Sequence, residues 1–243
     1  MSSQSKTFPD ALNSCNSSGA PVSGNVAGEG SDDLLWLQLA IGYGLILAAV
    51  WTPEGPLKLA WVLLVTFAVM VSAVFGRYSW REMGLGIPGA RGMFWVIAGG
   101  LLLAATVPLT ATVFHAGGGP IRSLSWHLGS WHSGWQYAIW AVLQEFILQS
   151  FLYLRLESLL GSRRAVLAAA TMFAAAHIPS PILTFCTLVG GLFFCEMFRR
   201  YRSIIPLGLV HAMLGLTIAV SFSDGILHHM RVGIGYLAFH SLK

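Results

Sequence analysis

Residues 57–75 read Leu57-Lys58-Leu59-Ala60-Trp61-Val62-Leu63-Leu64-Val65-Thr66-Phe67-Ala68-Val69-Met70-Val71-Ser72-Ala73-Val74-Phe75, nineteen residues of which Lys58 alone is charged. At 1.5 Å per residue such a helix spans about 28 Å, close to the roughly 30 Å of hydrocarbon in a bilayer. Thr66 and Ser72 are too few to make a polar face, so the helix needs lipid or protein on every side. Working outward, similar runs occupy residues 34–51, 93–114, 135–156, 165–177, 182–198 and 203–222. Pro53 and Pro56 end the first run, and Pro108 is expected to bend the third. The expected fold is all-α: a polytopic helical membrane protein with about seven transmembrane helices.

Composition agrees with this reading. Apolar residues make up 55% of the 243 and charged residues 10%, against about 25% charged in ordinary soluble domains. Mean hydropathy is +0.68. A net charge of +4, spread thinly along the chain, predicts no nucleic-acid partner; lipid is the expected surrounding. Cys15 lies in a polar stretch, and Cys186 and Cys195 share one apolar run, where they read as small apolar residues. Residues 1–33, rich in Ser, Gly and Asn, are expected to be a disordered polar tail without a cleavable signal peptide. Residues 34–222 form the membrane domain, with its motif-bearing part at 135–222. Residues 223–243 form a semi-apolar tail expected on the membrane surface. The polar connector at 115–134, with Trp126 and Trp131 followed by Trp135, has the placement of an interfacial aromatic belt.

Basic residues give an orientation. With the N-terminus inside, the inner segments hold Lys6, Arg77, Arg81, Arg91, Arg155, Arg163, Arg164, Arg199, Arg200 and Arg202, and the outer ones Lys58, Arg122, Arg231 and Lys243. Positive charge favours the cytoplasmic side, so a cytoplasmic N-terminus and an external C-terminus are expected, in a membrane of the bacterial inner or plasma type. No internal repeat points to a transporter built from duplicated halves.

Ionisable groups inside spans cost about 2.5–3.5 kcal/mol each near the helix centre, and this chain places few there. Glu196 lies near the inner end of the sixth run with Arg199 three residues on, and reads as an interfacial ion pair. Glu145 has no opposite charge within reach on its own helix. Counting along the helices puts Glu145 about 15 Å from the outer side, and His177 and His211 about 12–20 Å from the inner side. One carboxylate and two imidazoles at one depth make a candidate site. Pro179 and Pro181, following His177, lack the N–H groups that would pair with the carbonyls of Ala175 and His177, which are expected to be freed beside a wet cavity. Glu145 can act as general base with His177 sharing its proton, and His211 can donate to a developing oxyanion. Zinc held by Glu145, His177 and His211 is the alternative use of the same residues; no HExxH pair and no pair of intramembrane aspartates is present. A polar cluster that merely joins three helices is the bland alternative.

These residues resemble the CPBP family, which comprises CAAX-type prenyl endopeptidases and bacteriocin-processing or immunity membrane proteins. Its pattern is two adjacent glutamates with an arginine four after the second, then Phe-x-x-x-His, then His-x-x-x-Asn. Here the three segments are Gln144-Glu145-Phe146-Ile147-Leu148-Gln149, Phe173-Ala174-Ala175-Ala176-His177 and His211-Ala212-Met213-Leu214-Gly215. The Met83-Gly84-Leu85-Gly86 connector is similar as well. The resemblance implies an intramembrane endopeptidase of the glutamic, metal-independent type, with no cofactor expected. Glu145, His177 and His211 would be catalytic, Gln144, Gln149 and Phe173 supporting, and the substrate a peptide or protein entering the bilayer. The departures are Gln144 where the family has its first glutamate, Gln149 for the arginine and Gly215 for the asparagine. Adjacent helix positions differ by about 100°, so Glu145 replaces position 144 only if the helix is rotated or locally unwound. A non-catalytic immunity or scaffold protein is the second reading, and a transporter the third.

Overall fold

The computed structural model describes residues 26–74, 78–113 and 131–238. They form helices α1 (Val26–Trp51), α2 (Pro56–Val74), α3 (Ala90–Val113) and α4 (Trp131–Phe146), which continues through a π-helical segment (Ile147–Tyr153) into α5 (Leu154–Leu160). Beyond these lie α6 (Ser162–Ala175), α7 (Pro181–Tyr201), α8 (Ile204–Ser221), the short α9 (Asp224–Leu227), a 3₁₀ turn (His228–Met230) and α10 (Ile234–Leu237). An isolated bridge between Leu85 and Ser203 is the sole strand-like pairing among the described residues.

Six helical stretches are long and apolar enough to cross a bilayer: Asp32–Trp51, Pro56–Val74, Ala90–Val113, Trp135–Leu160, Pro181–Tyr201 and Ile204–Ser221. The protein is therefore an all-α, polytopic membrane protein. The seventh expected span, at 165–177, corresponds to α6, whose 14 residues reach about 21 Å, short of the hydrocarbon thickness. Burial separates centre from periphery. In each of the first three spans 17% of the most apolar stretch is buried, against 50% in α4–α5 and 61% in α8. The outer helices show side chains such as Leu63, Phe67, Phe94 and Leu102 to their surroundings, as lipid-facing helices do. α8 packs on α3 and α4, and α6 packs on α7, so the motif-bearing segments form the core.

Several details depart from the sequence reading. α1 starts at Val26, well before residue 34. Of the expected polar tail, residues 1–25 lie outside the described residues, as do residues 114–130, which include Trp126 and most of the connector expected at 115–134. The carbonyls of Ala175 and His177 are not free: the N–H groups of Ile178 and Ser180 donate to them at 3.3 and 3.1 Å. Turn bonds to the third residue on replace the helical bonds that the prolines forbid. The segment after Phe222 folds back on the bundle, since Gly233 N–H donates to Ile178 O at 3.0 Å and Leu227 is 1% exposed. Arg155, expected among the inner-loop charges, is 2% exposed inside the bundle.

The connector before α3 is fixed to the core where α7 meets α8. Ser150 Oγ donates to Met83 O at 2.7 Å, Ile204 N–H to Gly84 O at 2.8 Å, and Ser203 Oγ to Gly86 O at 2.9 Å. Gly84 has φ +78°, and a Cβ there would come within 2.4 Å of Phe198, so the tight approach requires glycine.

Candidate active site

Glu145 is completely buried on α4, facing α8. Its Oε1 lies 2.9 Å from His211 Nδ1, and its Oε2 accepts from Gln149 Nε2 at 3.0 Å. The His211 ring is stacked on Phe194 with centroids 5.2 Å apart and meets the edge of Phe173 at 5.8 Å. Phe173 also makes an edge contact with His177 at 4.9 Å, so the phenylalanine of the Phe-x-x-x-His segment spaces the two imidazoles. His177 Nδ1 lies 2.8 Å from its own helix's Phe173 O. A carbonyl only accepts, so Nδ1 of His177 carries the proton and Nε2 of the neutral ring is an acceptor.

The partnership differs from the one the sequence suggested. There, His177 shares the proton of Glu145; in the structure the partner of Glu145 is His211, and His177 is held by backbone. A cavity of about 420 Å³ opens beside them, with Gln144, His177, His211 and Phe173 on its wall. Glu145 is not on that wall. Gln144, about 100° around the helix from it, is. The cavity thus meets an amide and two imidazoles, while the carboxylate stands behind one of them. A volume in the range of small-ligand sites, mostly apolar with a few convergent polar groups, is the usual form of a binding or active site.

The helix does unwind locally, but beyond residues 144 and 145, so Glu145 does not take over position 144, which keeps its place on the cavity wall. Two residues after Glu145 the helix becomes π-helical, and Leu154 N–H donates to Gln149 O, five residues back. A π-turn inserts one extra residue, shifts the phase of the helix beyond it and leaves a carbonyl short of its partner. Arg155 binds back onto this segment: Nη1 donates to Phe151 O at 3.1 Å and, at the limit of 3.5 Å, to Ser150 O. Its Nε reaches Gln38 Oε1 on α1 at 3.0 Å, and the guanidinium lies 4.3 Å from the Phe151 ring centroid. A buried charge in a membrane is costly; here it is met by the carbonyls of the irregular helix next to the site and by Gln38. Nothing in the residue spacing announces this, because π-helices have no simple sequence signature. Glu196 does pair with Arg199, at 2.8 Å, and with Arg200 as well.

The donor set fits a metal poorly. Glu145 and His211 Nδ1 are turned toward each other and His177 Nδ1 toward a carbonyl. Among the described residues no three His, Cys, Asp or Glu side chains converge to hold an ion.

Comparison with known proteins agrees with the motif reading. Residues 125–217 match the family model described as type II CAAX prenyl endopeptidase Rce1-like, and the stretch includes Gln144, Glu145, Gln149, Phe173, His177 and His211. The match covers 93 of the 243 residues, the part that holds the motif-bearing segments, and supports a domain of the CAAX protease type, CPBP, within this membrane protein. No curated protein and no solved structure matches the chain.

Proposed function

We propose that this protein is an intramembrane endopeptidase that hydrolyses a peptide bond of a membrane-associated or exported protein, with His211 as general base and Glu145 holding it. The observation that carries the reading is the 2.9 Å contact between His211 Nδ1 and a fully buried Glu145, at the wall of a cavity. With Nδ1–H donated to the carboxylate, Nε2 of His211 is the free nitrogen, as in other carboxylate–histidine pairs that activate a nucleophile. Nε2 takes a proton from water, and the oxygen attacks the carbonyl carbon. As the C–N bond breaks, the same proton passes to the leaving nitrogen. Gln144 cannot take a proton but can orient the water, and Nε2 of His177 accepts its second hydrogen. Burial strengthens each of these contacts, since the apolar wall keeps the local dielectric low.

The family name suggests a test substrate: a peptide with a prenylated C-terminal CAAX motif, beside an unprenylated peptide with an apolar C-terminal segment. The purified protein in proteoliposomes is expected to cut one of these at a single bond, read by mass spectrometry, and to keep its rate in EDTA. Loss of activity in EDTA with recovery on added zinc would replace the mechanism by a metal-dependent one. A specific observation favours a second reading, a non-catalytic immunity or scaffold protein: an amide, Gln144, occupies the wall where the family has a glutamate. Binding of a peptide without cleavage of any is its expected signature.

For orientation we propose a cytoplasmic N-terminus in a bacterial-type inner or plasma membrane, supported by the basic residues at the ends of α6 and α7. Reporters fused after Leu160 or Tyr201 should read as cytoplasmic, and those after Gly119 or at Lys243 as external. An internal reading at Lys243 would show that the stretch of residues 161–181 does not change sides.

A further inference from the structure

The proposed chemistry leaves one role vacant. A tetrahedral intermediate needs a hydrogen-bond donor for its oxyanion, and neither imidazole supplies one in the attacking state. With Nδ1–H of His211 given to Glu145, as the proposed chemistry has it, and Nδ1–H of His177 given to Phe173 O, both Nε2 atoms are acceptors until the proton is transferred. Most hydroxyls on the cavity wall are spent. Thr66 donates to Val62 O, Thr106 to Leu103 O, Thr110 to Val107 O and Thr187 to Leu183 O, all within their own helices. Lys58 is paired with Glu54.

Tyr137 differs. It is half-buried on α4, two turns before Glu145, and lines the same cavity. Its hydroxyl makes no hydrogen bond among the described residues, so its proton is available to a group in the cavity. Gly215 is what gives it room: a Cβ there would stand 1.8 Å from the Tyr137 oxygen. Gly215 follows His211 by four residues, so it lies on the same face of α8, about 6 Å along the axis. The hydroxyl is thereby held over the helix turn next to the base, at the position where the family pattern has an asparagine.

We propose that Tyr137 is a further catalytic residue, whose hydroxyl donates a hydrogen bond to the carbonyl oxygen of the bound peptide and to the oxyanion formed from it. The assignment rests on the peptidase reading. Gly215 is its counterpart: the missing side chain admits the tyrosine.

The test compares the parent with Tyr137→Phe, using whichever of the two peptides is cut, and the aldehyde and alcohol forms of the same peptide as ligands. The hydrated aldehyde mimics the tetrahedral adduct and the alcohol does not. Tyr137→Phe is expected to lower kcat by about 100- to 1000-fold, the usual loss for one oxyanion donor, with KM changed less than about twofold. It should weaken aldehyde binding by a similar factor and leave alcohol binding unchanged, which a purely structural role would not do. Should Tyr137→Phe fail to fold, Gly215→Ala takes its place, since the added Cβ must displace the hydroxyl. If the parent cuts and favours the aldehyde while the variant matches it in both, the Tyr137 assignment is overturned and the peptidase reading stands. If the parent neither cuts nor distinguishes aldehyde from alcohol, the peptidase reading is overturned and the assignment goes with it.

Discussion

Glu145→Gln is expected to lower kcat for peptide cleavage by about 10⁴-fold, the loss incurred when an amide replaces the carboxylate behind a catalytic histidine. The size of the effect comes from hydrogen-bond direction as well as from charge. Gln149 Nε2 donates to one oxygen of Glu145, and His211 Nδ1 faces the other. An amide at 145 has one acceptor and one donor end. Gln149 takes the acceptor, so the new NH₂ turns to His211. Nδ1 must then accept, the proton moves to Nε2, and the nitrogen facing the cavity can no longer remove one from water. Removing the competing donor should relieve the conflict: in Glu145→Gln with Gln149→Leu, the amide can offer its oxygen to Nδ1 and recover part of the lost rate. Substrate binding should be little changed in both, because neither residue 145 nor 149 lies on the cavity wall. The measurement is kcat and KM in proteoliposomes, with thermal unfolding as the folding control. A single variant that cuts at the parental rate would remove Glu145 from the mechanism.

Sequence and structure part company over these contacts. The membrane fold was legible because hydrocarbon imposes a length and a composition, and residues 57–75 satisfy both. The candidate residues were legible because an ionisable group in a span is conspicuous, and the family pattern put Glu145, His177 and His211 in order. Which of them touch was not. Depth along an axis fixes one coordinate of a side chain, while the azimuth depends on helix rotation and on irregularities such as the π-helical turn after Phe146. A straight α-helix through residue 149 gives no reason to turn Glu145 toward α8 rather than α6. Arg155 misled for a similar reason: near the end of a run, a basic residue reads as a loop charge, and its burial is accounted for by contacts no spacing shows, with Gln38, the Phe151 ring and the carbonyls of the π-helical segment. Tyr137 has no motif at all. The one signal for it was Gly215, a small residue in a family position that holds a side chain, and reading that signal requires knowing which residue faces it.

Azimuth also separates the two histidines. His211→Ala removes the proposed base and should lower kcat by about 10⁶-fold, the scale seen when a catalytic histidine is deleted, leaving no detectable turnover. His177→Ala removes a group that only helps to hold water, and should cost about 10- to 100-fold, at or below the general range for a single proton-handling contact. The sequence reading alone orders them the other way, with His177 assisting the base and His211 replaceable, so the ranking discriminates between the two schemes. Gln144 supplies an independent check. It lies on the cavity wall, so Gln144→Glu places a carboxylate where the proposed mechanism needs the water. In the parent the change should be tolerated or activating. In His211→Ala it should restore measurable cleavage, because a carboxylate on the wall can take the proton that the missing imidazole took. Cleavage that survives His211→Ala but is abolished by His177→Ala would make His177 the base and Glu145–His211 a structural pair. Restoration by Gln144→Glu would further mean that the cavity, the bound water and the peptide are already placed for hydrolysis, and that position 144 decides whether the family's own base or His211 carries it out.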